Sequence, residues 1–183
     1  FNLVVFTISQ WDLVLQLSKD FDIIMNMKTC GIITEYNPFH QGHIYHIKKT
    51  KELTQCDCLI AIVSNHFTQR GLFSLLTMQD KTKLALEAGC NLVIELPPCY
   101  AAQSADYFAK YAVESLSQLH IDQICFGSET NNISTLKEYS KQMESTQVVP
   151  SLSMNQNLYT KNIRPNDILG IQYIKQCEKY GIT

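Results

Sequence analysis

No window of this 183-residue chain reaches the ~18 or more uninterrupted apolar residues that a membrane-spanning helix needs. Even the apolar opening FNLVVFTISQWDLVLQLSKDFDIIMNM is broken by Asp12, Lys19 and Asp20. That opening also lacks the basic start and small-residue cleavage site of a secretory signal peptide. Neither sign of charge is in excess: 15 Lys and Arg against 17 Asp and Glu give a formal net charge of -2. This excludes a broadly basic nucleic-acid binder and an acidic tail, so any polyanion must be met by a local face. The seven cysteines are odd in number and lack paired CxxC spacing, a pattern of reduced cytosolic thiols rather than of a disulfide framework. There is no internal repeat and no low-complexity tract. The length suits one domain around one core, and therefore a single site.

What is present is an alternation of apolar runs with helical spacing. Met25 and Met27 stand just before the first convincing strand. Residues 1–26 are therefore expected to be an upstream extension carrying no chemistry, with the domain proper at 27–183. The runs TCGIIT (29–34), CLIAIV (58–63), NLVIEL (91–96) and QICFG (123–127) read as strands. Helical spacing marks 42–53, with Ile44 and Ile47 on one face, 77–89 with Gly89 as its stop, and 166–181 through Ile168, Ile171 and Ile174. The segment 104–119 has Ser104 as an expected N-cap and a stripe of Phe108, Ala112, Leu116 and Leu119. The polar stretch 128–165 suits a helix ISTLKEYSKQM followed by a mobile connection.

Strands apolar on both faces and separated by helices predict an α/β fold: a doubly wound parallel sheet, Rossmann-like, with helices on both faces. Ligands in such folds bind beyond the carboxyl ends of the strands. The loops after Thr34, Val63, Leu96 and Phe126 are the places to search.

The first of these loops carries the chemistry. It reads Glu35-Tyr36-Asn37-Pro38-Phe39-His40-Gln41-Gly42-His43. Pro38 fixes its own φ and pushes Asn37 to extended geometry, so the chain turns sharply. Gly42 at the helix entrance removes a side chain where a ligand could approach the backbone. Free N–H groups at the helix start favour an anion, and His40 and His43 can converge on it as donors. Such a site stabilises the charge that gathers on phosphate oxygens during transfer at an α-phosphorus. A metal reading of His40, His43 and His46 finds no acidic or thiol ligand at characteristic spacing.

A strand, a proline turn, HxGH and a helix are the signature of the nucleotidyltransferase superfamily of class I aminoacyl-tRNA synthetases and small adenylyltransferases. More specifically, GIITEYNPFHQGHIYHI, NLVIELP, QSADYFA, CFGSE and NDILGIQYIK, in this order over roughly residues 27 to 176, resemble the bacterial tRNA(Met) cytidine acetate ligases. The resemblance implies a cytoplasmic enzyme that uses ATP and acetate to make acetyl-adenylate and then acetylates the wobble cytidine of elongator tRNA(Met). It implies an ATP-binding segment of Ile33, Thr34, Glu35, Tyr36, Asn37, Pro38, Phe39, His40, Gln41, Gly42, His43, Ile44, Tyr45 and His46, with further nucleotide contacts from Gly127 and Asn166. His40 and His43 would be its catalytic pair, and Mg²⁺ would accompany ATP, held by phosphate oxygens and water.

Departures from that pattern fall on the acceptor side. The family's second loop commonly reads Ser-Gly-Asn-Phe-Val-Gln-Arg-Gly-Glu-Pro, whereas this chain has SNHFTQRGLF, with Asn65, His66, Leu72 and Phe73 as replacements. Lys81 and Lys83 could meet tRNA phosphates or form a solvated helix face. A downstream Ser/Thr-rich motif ending in Arg, which clamps the triphosphate in the superfamily, is not within these 183 residues, so weak ATP binding and little turnover are expected of this polypeptide alone. The alternatives are an adenylyltransferase acting on a small phosphorylated molecule, and a non-catalytic RNA-binding remnant of the fold.

Overall fold

A computed structural model of the chain describes residues 5–7, 27–145 and 163–183, the first three and 143–145 by their backbone only. Five strands form one parallel sheet: β1 (Val5–Thr7), β2 (Thr29–Thr34), β3 (Cys58–Ser64), β4 (Leu92–Leu96) and β5 (Gln123–Ile124), in the order β1-β4-β3-β2-β5. The helices are α1 (Gln41–Thr54), α2 (Met78–Ala88), the short α3 (Pro98–Ala101), α4 (Ala105–Ser117), α5 (Ile133–Ser145) and α6 (Pro165–Tyr180). The expected alternation is thus present. The connection expected after α5 lies outside the described residues. So does the 1–26 extension, except for the backbone of β1, which pairs with β4 along Val5–Thr7.

β3 is central, and its residues are buried on both faces, as a strand covered by helices on each side must be. Leu59, Ala61 and Val63 pack with Cys30, Ile32, Ile47, Met78 and Ala85 on the α1 and α2 side. Ile60 and Ile62 pack with Phe108, Ala112, Leu116 and Tyr173 on the α4 and α6 side. A Cβ on Gly31 would come within 2.7 Å of Leu116, so glycine lets α4 lie close against β2. Among the described residues no helix is long and apolar enough to cross a membrane.

Two local expectations are corrected. Ser104 occupies the N-cap position of α4, but its hydroxyl bonds the Asp106 carboxylate and accepts no backbone N–H. The last strand is two residues long rather than five. After Cys125 N–H reaches the Gly31 carbonyl at 3.0 Å, Phe126 leaves the sheet to pack on Tyr173, ring centroids 5.6 Å apart. Packing against α6 there outweighs another pair of ladder bonds.

The chain runs outward from β2 through β3 to β4, then returns to add β5 on the opposite side of β2. The reversal opens a crevice at the carboxyl ends of β2 and β5, the switch point at which such sheets take their ligands.

Candidate active site

The turn leaving β2 enters this crevice through Tyr36, whose φ of 50° is left-handed, and a cis Asn37–Pro38 peptide. Tyr36 is 1% exposed and anchors the turn, its ring edge-on to Phe39 (4.8 Å) and to His43 (4.9 Å). His40 is the N-cap of α1, with extended φ and ψ of -149° and 176°. Its Nδ1 accepts from the Gly42 N–H at 3.0 Å, and the His43 Nδ1 accepts from the His40 N–H at 3.2 Å. The two rings stack at 3.9 Å with an interplanar angle of 26°.

This reciprocal cap changes the expectation of a bare amide edge. The Gly42 N–H is taken by an imidazole and the His43 N–H by the His40 carbonyl at 2.9 Å. A Cβ on Gly42 would meet the His40 ring at 2.8 Å, so the glycine makes room for the imidazole. Because each Nδ1 accepts a hydrogen bond, its lone pair is free of hydrogen and the ring hydrogen lies on Nε2. His43 is kept neutral by burial, with smaller contributions from His40 and His46, which push its pKa down to about 4. With Nδ1 accepting, each ring can donate from Nε2, and His43 does so without carrying a positive charge. His46, one turn on, is also lowered by burial. Among the described residues no group of three or more His, Cys, Asp or Glu is placed to hold a metal ion.

The segments CFGSE, after β5, and NDILG, at the start of α6, are tied to each other. Glu129 accepts the first N–H groups of α6, from Asn166 at 3.3 Å and Asp167 at 3.0 Å. Asp167, 3% exposed, accepts from Thr130 N–H at 3.0 Å and from its hydroxyl at 2.6 Å. A Cβ on Gly170 would strike the Phe126 ring at 2.6 Å, so this glycine sets the close approach. These contacts bind Gly127 and Asn166, 39 positions apart in the sequence, into one wall. Gly127 has no positive φ, and a Cβ there would meet nothing within 4 Å. Neither strain nor packing requires glycine at that position, and open space lies before it. Glu129 and Asp167 do not stand out in the sequence, although a carboxylate two residues past a predicted strand and one at a helix start are a usable signal.

The remaining expected residues are spread through this frame. Ile33 and Thr34 end β2, and Ile44 is half-buried on α1. Pro38, Gln41 and Tyr45 are exposed, Tyr45 by 67%. Asn37 clamps the second loop, its Nδ2 donating to the Phe73 carbonyl at 3.1 Å and its Oδ1 accepting from Leu75 N–H at 2.7 Å. Glu35 accepts from the Gln69 N–H.

Lys81 corrects the expectation of a solvated helix face. It is 1% exposed, and its Nζ donates to the carbonyls of Ser64 at 2.7 Å and Asn65 at 3.1 Å. Desolvation pushes its pKa down to about 8, against the opposing effect of Glu35. Lys83 does lie in solvent, 4.0 Å from Glu87.

A doubly wound parallel sheet with a histidine-capped helix at its switch point is an α/β domain of the kind that takes ligands beyond the carboxyl ends of its strands. The family model of the HIGH nucleotidyl transferases matches residues 27–183, and the chain belongs to that family. It is 41% identical over 169 residues to the tRNA(Met) cytidine acetate ligase of a Geobacillus species, covering 81% of this chain and 42% of the relative. It is also 41% identical over 182 residues to the enzyme of that name from Clostridium novyi, covering 86% and 46%. Among solved structures, Thermotoga maritima TmcAL bound with alpha-thio ATP matches with a TM-score of 0.73 at 30% identity, covering 85% of this chain and 45% of that one. The chain thus spans less than half the length of these relatives.

Proposed function

We propose that this chain is the nucleotide-binding part of an ATP-dependent acetate ligase that forms acetyl-adenylate and transfers the acetyl group to the wobble cytidine of elongator tRNA(Met) in the cytoplasm. The observation that carries this reading is the reciprocal cap of His40 and His43 at the start of α1, beside the switch point between β2 and β5. Its support from outside the chain is the ATP analogue bound by the similar Thermotoga protein and the name shared by the curated relatives.

An acetate oxygen attacks the α-phosphorus, the phosphorus–oxygen bond to pyrophosphate breaks, and charge develops on the phosphate oxygens. Two Nε2–H donors preset by their own caps meet that charge without reorganising, which is how such sites lower a barrier. The cytidine amine then attacks the acetyl carbonyl, AMP leaves, and the amine loses its proton. Mg²⁺ travels with the triphosphate. The residues of this chain supply donors and position, and no covalent nucleophile is required.

Mass analysis of total tRNA from cells with and without the full-length gene tests the reaction: N4-acetylcytidine should disappear from tRNA(Met) on deletion. Unchanged tRNA would defeat the proposal in favour of an adenylyltransferase with a small-molecule substrate. For the chain itself, ATP titration should give binding that His43→Ala abolishes, whereas a non-catalytic RNA-binding remnant would show no such dependence.

A further inference from the structure

The second loop folds into a small hairpin over the carboxyl end of the sheet. Phe67 bridges Phe73, Thr68 N–H bonds the Leu72 carbonyl at 2.8 Å, and Ser74 N–H bonds the His66 carbonyl at 2.8 Å. Between this hairpin, the start of α2 and the end of β4 lies a half-open cavity of about 580 Å³, within the usual range for a small-molecule or nucleoside site. Nothing in the nucleotide site described above uses it.

Three features give the cavity a chemical preference. The Phe67 and Phe73 rings lie 4.9 Å apart at 38°, and Phe73 is 77% exposed, presenting an aromatic face to solvent. Glu95 lines the cavity, and one of its oxygens is held by Asn65 Nδ2 at 2.6 Å. Asn65 is 8% exposed, so the carboxylate is oriented from behind. An aromatic face beside an oriented carboxylate suits a flat base that donates from an exocyclic amine: the face stacks and the carboxylate accepts. Finally, the cavity wall is bonded to the histidine turn, because Asn37 holds both the Phe73 carbonyl and the Leu75 N–H.

We infer that this cavity is the acceptor pocket, in which an unpaired cytidine of an RNA stacks on Phe73 and donates its exocyclic amine to Glu95. The inference rests on the acetyl acceptor being a cytidine, as proposed above. Uracil presents a carbonyl oxygen where cytosine presents the amine, so the carboxylate repels it.

The test uses hairpin RNAs that differ only in one unpaired base, C or U, titrated against the chain alongside ATP. The C hairpin should bind at least about fivefold more tightly than the U hairpin, the scale of one good base-edge contact. Glu95→Gln should erase that ratio, and Phe73→Leu, on an exposed loop where folding is not at stake, should weaken the C hairpin. No preference for C over U in the wild-type chain, or a ratio that survives Glu95→Gln, would each overturn the inference. ATP affinity is read in the same samples. Intact His43-dependent ATP binding without base preference sinks the pocket alone, and loss of ATP binding in the wild-type chain sinks the parent reading.

Discussion

The Nζ of Lys81 donates to the Ser64 carbonyl at 2.7 Å, so a buried ammonium on α2 closes the end of the central strand. It also holds the Asn65 carbonyl, and thereby the first residue of the second loop. Lys81→Met keeps the stem but leaves two carbonyls unpaired. It should cost about 1–3 kcal/mol in urea unfolding and speed proteolysis of the hairpin. A variant as stable and as protease-resistant as wild type would show that the ammonium does not anchor the loop.

The reciprocal histidine cap makes stability depend on acidity. The folded-state pKa of His43 is lowered from 6.5 to about 4, so as pH falls the unfolded chain takes up the proton first. Its contribution is full above pH 6.5 and is lost as pH falls toward about 4. Protonation of Nδ1 also abolishes its bond from the His40 N–H. The urea midpoint should therefore decline over this window, and His43→Gln should flatten the decline in part, since buried His46 shifts the same way. An unaltered pH profile in that variant would refute the assignment.

Gly127 separates ligand space from folding. A Cβ at this position would find nothing within 4 Å, and its φ is not positive, so Gly127→Ala should change stability by less than about 0.5 kcal/mol. ATP affinity should fall by about tenfold, or about 1.4 kcal/mol. Unchanged affinity would mean that the nucleotide does not pass over this residue.

Asp167 links the CFGSE and NDILG motifs. Asp167→Ala removes both bonds to Thr130 from a buried position and should cost about 2–3 kcal/mol. Because Asn166 is its neighbour, ATP affinity should fall as well. Glu129→Ala, which uncaps α6 at an exposed site, should cost about 1 kcal/mol. Calorimetric melting and nucleotide titration check both, and a loss of stability without any loss of ATP affinity would separate this wall from the site.

Much of the fold was legible because each strand and helix announces itself within a short window. CLIAIV can be buried on both faces only inside a parallel sheet, and Gly89 ends α2 in the left-handed conformation, φ 119°, that glycine tolerates. The histidine turn was legible for the same reason, since its proline, glycine and two imidazoles act on one another within six residues. Lys81 misled because its spacing on α2 suits a solvent face equally well, and only the position of β3 beneath it supplies the carbonyls that bury it.

By itself, then, the sequence determined the order and type of the elements from β2 to α6 apart from the short α3, the place of the turn after the first strand of the domain, and the family. Tertiary structure alone decided that the Gly42 amide at the start of α1 is already occupied by an imidazole, that β5 stops after two residues, that Glu129 and Asp167 tie Gly127 to Asn166, and that the hairpin encloses a cavity beside Glu95. Those outcomes depend on partners far apart in the sequence, or on which way a ring turns, and periodicity along one strand or helix carries no information about either.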